Sequence, residues 1–182
     1  MSVLLLSAQA AAPPRLGTTT DDLQHRSPSI HWPDAFNPLR AGSFAHNAVI
    51  IYTGCSNVWS HLVDIPEWPK WLVLTPHAQW ISPTSIPSVG AKFQWQILNY
   101  QEESEIKEFV PPERIGWTSY TPGQAPLYYH AWLLQPGAGG CRVVTEEVGT
   151  GADAARTAKA GDTETHRVHE LWLASLRWLS GS

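Results

Sequence analysis

Val58-Trp59-Ser60-His61-Leu62-Val63-Asp64-Ile65-Pro66-Glu67-Trp68-Pro69-Lys70-Trp71 places three tryptophans and two prolines within fourteen residues. An indole is a large apolar body with one polar N–H, and it stabilises a fold only when packed against something. Pro66 and Pro69 lack a backbone N–H, and their rings clash with the preceding turn, so no long helix runs through the stretch. The stretch therefore predicts a short amphipathic helix, a kink and a second short piece. Its rings would face an apolar space, as one wall of a cavity.

Working outward, Ala48 to Tyr52 reads as a short strand ended by Gly54, and Ser56 or Asn57 is placed to cap the helix that follows. Val58, Trp59 and Leu62 give that helix one apolar face, and Asp64 begins its end. Downstream the period becomes two. Ala91 to Leu98 alternates Phe93, Trp95 and Ile97 with Lys92, Gln94 and Gln96, the pattern of a half-buried strand. Four further strands are expected at Gln101–Val110, Arg114–Thr121, Leu127–Leu134 and Cys141–Val148, with the glycine-rich segment 137–140 as a hairpin turn. Glu102, Glu103, Glu105 and Glu108 read as a solvated strand face. The chain closes with a helix in which Val168, Leu171, Trp172, Ser175, Leu176 and Leu179 recur at three and four, with Asp162 or Thr163 as cap and Glu164 in the first turn. The fold class is α+β. A β-α-α-β-meander-α order packs most economically as a curved antiparallel sheet wrapped around the long C-terminal helix.

Composition narrows the function. Charged residues are 15% of the 182, net charge is -4, and no basic cluster occurs, which argues against nucleic acid as a partner. No apolar stretch approaches the roughly 18 residues needed to span a bilayer, so stable membrane insertion is not expected. Residues 1–44 read as a flexible Pro/Ala-rich extension, with Ile30, Trp32 and Phe36 able to dock on the ligand-binding domain at 45–182. Met1 to Pro14 has the small residues of a secretory signal but no positive n-region, so a disordered start and a cytoplasmic location are expected. Cys55 and Cys141 set no disulfide framework; buried free thiols are the expectation, and neither has zinc-ligand spacing.

The ordered motifs carry a resemblance. Val58-Trp59, Leu62-Val63-Asp64 and Trp68-Pro69-Lys70-Trp71 are similar to the opening signature of the START-like, helix-grip SRPBCC superfamily, in its polyketide cyclase/dehydrase and lipid-transport-like group. Gly90 before a strand also resembles that pattern, as do Val110-Pro111-Pro112-Glu113-Arg114-Ile115-Gly116-Trp117 and His130-Ala131-Trp132-Leu133-Leu134-Gln135-Pro136. So do Gly140-Cys141-Arg142-Val143-Val144-Thr145-Glu146-Glu147 and the Trp-Leu-x-x-Leu of 172–176, although Cys141 stands where threonine is usual. The resemblance spans about Ala45 to Leu179. It implies a cavity between sheet and helix that holds an apolar small molecule. It does not choose among lipid carriers, cyclases and hydrolases, since one fold hosts many functions.

The residues themselves supply the candidates. Tyr128 and His130 share one face of a strand and Tyr129 takes the other. With Tyr120, Tyr128 and His130 are the candidate catalytic groups, able to polarise a carbonyl or move a proton. A polar outer face with Trp132 packed beside it is the alternative. Candidate ligand contacts are Trp59, Trp68, Trp71, Phe93, Trp95, Trp117, Tyr129, Trp132, Glu147, His169 and Trp172. Glu146 and Glu147 point to opposite faces, so at most one enters the cavity, and rim exposure of both is equally open. His166, His169 and Glu170 are clustered on the last helix, but their order matches no zinc motif and a solvated first turn is expected. The expectation is a monomer or homodimer, free of metal and cofactor, that templates cyclisation of a polyketide- or terpenoid-like molecule. A non-catalytic carrier is the alternative. Trp59 would be an inward wedge, and Trp68 and Trp71 gate or rim residues.

Overall fold

Strand-forming runs, bounded by glycine and proline, yield seven strands that lie in one antiparallel sheet. The computed structural model describes residues 19–83, 85–125, 127–159 and 163–181; the signal-like Met1 to Pro14 and the expected cap Asp162 lie outside them. The strands are β1 (Ser43–Ile51), β2 (Ala78–Trp80), β3 (Lys92–Ile97), β4 (Tyr100–Val110), β5 (Arg114–Tyr120), β6 (Tyr128–Gly137) and β7 (Gly140–Gly149). Their spatial order is β1-β7-β6-β5-β4-β3-β2, a meander from β2 to β7 with β1 added beside β7. This curved sheet wraps around helices, the longest being the C-terminal one, and the architecture is a helix grip.

The helices are α1 (Thr19–His25), α2 (Cys55–Val63), α3 (Trp68–Trp71), α4 (Gly151–Lys159) and α5 (Thr163–Leu179). Between α2 and α3 the prolines produce the expected kink, a 3-10 turn at Ile65–Glu67. α2 starts one residue earlier than the caps proposed for it. Gly54 occupies the N-cap with no side-chain bond, and Asn57, inside the first turn, instead donates to the Ser180 carbonyl at 3.0 Å. β1 begins at Ser43 rather than Ala48, because His46 and Asn47 find polar partners on opposite faces of the sheet. α4 has no counterpart in the sequence reading; it is anchored through buried Ala154.

Both faces of the sheet are covered. The concave face holds the main core, including Ile51, Leu62, Phe93, Ile106, Ile115, Leu134 and Leu176. On the convex face, Phe44, Tyr129, Ala131, Leu133, Val144 and Val148 pack with Ile30 and Phe36 from the N-terminal extension, and Trp32 tilts against Phe44 and Tyr129. The part of the extension from 27 to 42 is thus built onto the domain. Gly116 is required here, since a Cβ at that position would fall onto the Tyr129 hydroxyl. In β4 a bulge between Ile106 and Glu108 turns Phe109 inward to meet Trp59 and Glu108 outward to meet Arg114.

The cysteines correct an expectation. Cys55 and Cys141 form a disulfide, with Cα atoms 4.9 Å apart. The β1–β7 register sets Ile51 opposite Cys141, and the short turn into α2 then brings Cys55 back over the start of β7. Spacing of 86 residues in the chain hides this proximity. Among the described residues, no helix is long and apolar enough to cross a membrane.

Candidate functional site

Alternation places Trp95 of β3, Glu102 of β4, Trp117 and Ser119 of β5, Tyr128, His130 and Trp132 of β6 and Glu147 of β7 on the concave face. α5 crosses that face and contributes Glu164, Thr165, Val168, His169 and Trp172. Together with Ile97, Leu98 and Tyr100 these residues line a cavity of about 290 Å³. Four indoles form its apolar wall. Trp172 is tilted on Trp132 at 5.3 Å and set edge-on to Trp95 at 6.0 Å, and Trp117 is stacked on Trp132 at 6.3 Å.

Polar groups converge at one point of this wall. His130 Nδ1 lies 3.0 Å from Glu147 Oε2, and His169 Nε2 lies 3.4 Å from the same oxygen. Trp117 stacks on the His130 imidazole at 5.6 Å and 25°, and Trp95 meets its edge at 6.0 Å, which together hold the plane of the ring. Burial would raise the Glu147 carboxyl, but the His130 and His169 imidazoles outweigh it and hold the group well below the usual carboxylate range. Glu102 behaves oppositely. Burial pushes its carboxyl up, Glu147 adds to the rise and His130 opposes it; its Oε2 has no hydrogen-bond partner among the described residues.

Behind this centre, Asn47 Oδ1 lies 3.1 Å from His169 Nδ1 and 3.0 Å from His166 Nδ1. His166 Nε2 is in turn 2.9 Å from Asp22 Oδ2 of α1. His166 and His169 are both 3% exposed while Glu170 faces solvent, which corrects the expected solvated turn. Glu146 and Glu147 do point to opposite faces, but neither sits on a rim. Glu146 is buried under the extension, accepting from Ser27 N at 2.5 Å and lying 2.7 Å from His46 Nδ1.

The structure brings Tyr128, His130, Trp95, Trp117, Trp132, Glu147, His169 and Trp172 to the cavity. Others among the candidates fall elsewhere. Tyr120 is on the convex side, donating to Glu103 Oε1 at 2.7 Å, and Tyr129 is buried beneath the extension. Partial burial together with that bond pushes the Tyr120 phenol up to about 12. Trp59 and Phe93 pack in the core. Trp68 is neither gate nor rim: it is fully buried, donates to the Leu62 carbonyl at 3.1 Å, and meets Phe93, Trp95, Trp117 and Trp172 edge-on or tilted. Trp71 backs Trp172 edge-on at 5.7 Å.

Asn47, Ser119 and Thr165 carry no signal in the sequence, and Glu102, expected on a solvated strand face, lines the cavity instead. Glu102 alternates with Ser104 and Ile106, both buried, and that alternation was the available signal.

Compared by sequence, the chain matches no protein-family model and no curated protein. Solved structures share its fold. A hypothetical protein, jhp0584 from Helicobacter pylori, superposes with a TM-score of 0.77 at 24% identity, covering 86% of this chain and 98% of that one. The di-domain ARO/CYC StfQ from the steffimycin biosynthetic pathway superposes with a TM-score of 0.63 at 10% identity, over 75% of this chain and 50% of that one. For the di-domain ARO/CYC BexL from the BE-7585A pathway the TM-score is 0.60 at 16% identity, over 76% and 50%. The fold thus resembles aromatase/cyclase domains, and at these identities the likeness concerns the fold alone.

Proposed function

We propose that the protein binds a small oxygen-bearing hydrophobic molecule, polyketide- or terpenoid-like, in the cavity under α5 and promotes its cyclisation. The observation that carries this reading is the convergence of His130, Glu147 and His169 on one point of a tryptophan wall. A cavity that only carried an apolar molecule gains nothing from a buried charged centre, which is costly to desolvate. The likeness in fold to aromatase/cyclase domains supports the class of reaction.

The flat walls of Trp95, Trp117, Trp132 and Trp172 would hold a reactive chain in one near-attack conformer, which removes much of the entropic part of the barrier. His130, steadied by Glu147 and Trp117, and Tyr128 beside it would face the ligand's carbonyl, where an N–H or O–H stabilises developing negative charge. At about 290 Å³ the cavity lies at the small end of ligand sites, so one or two rings fit better than four.

The test is quenching of tryptophan fluorescence by short poly-β-ketone analogues, followed by product analysis. Binding with ring closure, retained binding but lost conversion in His130→Ala, supports the reading. Binding without conversion leaves a carrier, and absence of both binding and conversion overturns the reading.

A further inference from the structure

We propose that His130 Nδ1, Glu147 Oε2 and His169 Nε2 form a divalent-cation site of the borderline, zinc-like class. The inference rests on the cavity being the functional site, but not on cyclisation.

It starts from proton accounting on two histidines that share one acceptor. Asn47 Oδ1 faces Nδ1 of both His166 and His169, so each ring carries its proton there. His166 then points Nε2 at Asp22 and closes to 2.9 Å, the length of a charge-assisted bond. His169 points Nε2 at Glu147 and stops at 3.4 Å. His169 is 3% exposed, and its Nε2 has no hydrogen-bond partner among the described residues. With its proton on Nδ1, a neutral His169 turns a lone pair toward a carboxylate oxygen inside the protein. That contact is repulsive unless a second proton or a metal ion lies between them, and 3.4 Å is long for a charge-assisted hydrogen bond.

Both distances to the Glu147 oxygen suit a metal ion. The three ligand atoms lie within 4.8 Å of one another. For donors about 2.0–2.1 Å from a common centre, separations of about 3.0 and 3.4 Å correspond to angles of about 90° and 110°. Those are the observed separations of His130 and His169 from the Glu147 oxygen. Two imidazoles and a carboxylate suit Zn²⁺-like ions over Ca²⁺ or Mg²⁺. Asn47 fits as well: a ligating histidine usually gives its other N–H to a carbonyl, and Asn47 takes that role for His169. With three protein donors the ion keeps open positions toward the cavity, where a ligand oxygen could be polarised by it rather than by an N–H.

The experiment is a titration of chelator-stripped full-length protein with Co²⁺, read by visible d–d absorption and by native mass spectrometry. One equivalent should bind with nitrogen and oxygen ligation, and Zn²⁺ should displace it. Glu147→Gln and His169→Gln should abolish stoichiometric binding. Asn47→Ala should weaken it about 10- to 100-fold, with Asn47→Asp restoring it. His77→Ala, at an exposed position, should leave it unchanged. Imidazole ¹⁵N shifts of the wild-type chain provide a readout that needs no variant: Nδ1–H and a cation-bound Nε2 on His169 are expected. No stoichiometric Co²⁺ in the wild-type chain, with Nε2–H on His169, would overturn the proposal. That outcome would mean Glu147 accepts directly from His169 Nε2, with the ring either an imidazolium or faced by the Asn47 nitrogen. It would leave the ligand-binding result standing.

Discussion

Asp22 Oδ2 lies 2.9 Å from His166 Nε2, and both side chains are buried. The contact joins α1, at the start of the described chain, to the helix that roofs the cavity. From there Asn47 links His166 to His169, and His169 reaches Glu147. The extension is therefore connected to the functional centre by a line of polar contacts. Asp22→Ala removes the acceptor at His166 Nε2 in a buried place, and breaking such a pair costs about 3 kcal/mol. Urea unfolding should show that loss, and Asp22→Asn, which keeps an acceptor, should lose less. An unchanged midpoint in Asp22→Ala would mean the extension merely rests on the domain.

Trp68 lies at the centre of an indole cluster, without access to the cavity. Its role is to hold Trp95, Trp117 and Trp172 in place from behind. Trp68→Ala should cost about 3–5 kcal/mol in denaturant unfolding, as expected for a large aromatic removed from a core. Trp68→Phe should cost less and leave the selection of ligands intact. Trp132→Phe, on the cavity wall, should alter selection more than stability. Equal changes in ligand preference for the two phenylalanine variants would contradict the placement of Trp68.

How much of this could be read from sequence follows from what local patterns encode. The meander was legible because β3 alternates and glycine and proline bound the strands after it, and the kink was legible because Pro66 and Pro69 act locally. The cavity face was legible only as a parity: Tyr128 and His130 on one side, Tyr129 on the other. Parity does not say which side is inside, and here both sides are buried, so Tyr129 and Tyr120 could not be told from cavity residues. Trp68 was misplaced because a proline-flanked tryptophan looks the same in a core and on a rim. The meeting of Asn47, Glu147 and His169 depends on β1 pairing with β7 and on α5 crossing the sheet, contacts between residues far apart in the chain that no local period carries.

Tyr120 provides a pH test on the convex side. Its phenol is raised from 10 to about 12 by partial burial and by donating to Glu103. A raised folded value means the folded state holds the proton more tightly. The stabilisation is therefore complete below about pH 10 and is lost as pH rises through about 12. Ultraviolet titration of the folded protein should show a late-ionising phenol that disappears in Tyr120→Phe. Glu103→Gln should move that phenol to lower pH. A titration unaltered by either substitution would mean the bond to Glu103 does not form in solution.

The disulfide between Cys55 and Cys141 ties the start of α2 to the first residues of β7, across an 86-residue separation. By constraining the unfolded chain over so long a loop, it should contribute about 2–5 kcal/mol. The unreduced protein should show no thiol reactive to a chromogenic disulfide reagent in denaturant, and two after reduction. Cys55→Ser with Cys141→Ser should lower the unfolding midpoint without changing the tryptophan environment of the cavity, since the bond lies at the α2 end of the sheet. Disulfides of this kind persist in oxidising compartments and are rare in the cytosol. Recovery of the protein from its native source with both thiols reduced would restore the cytoplasmic expectation, and recovery with the bond intact would replace it.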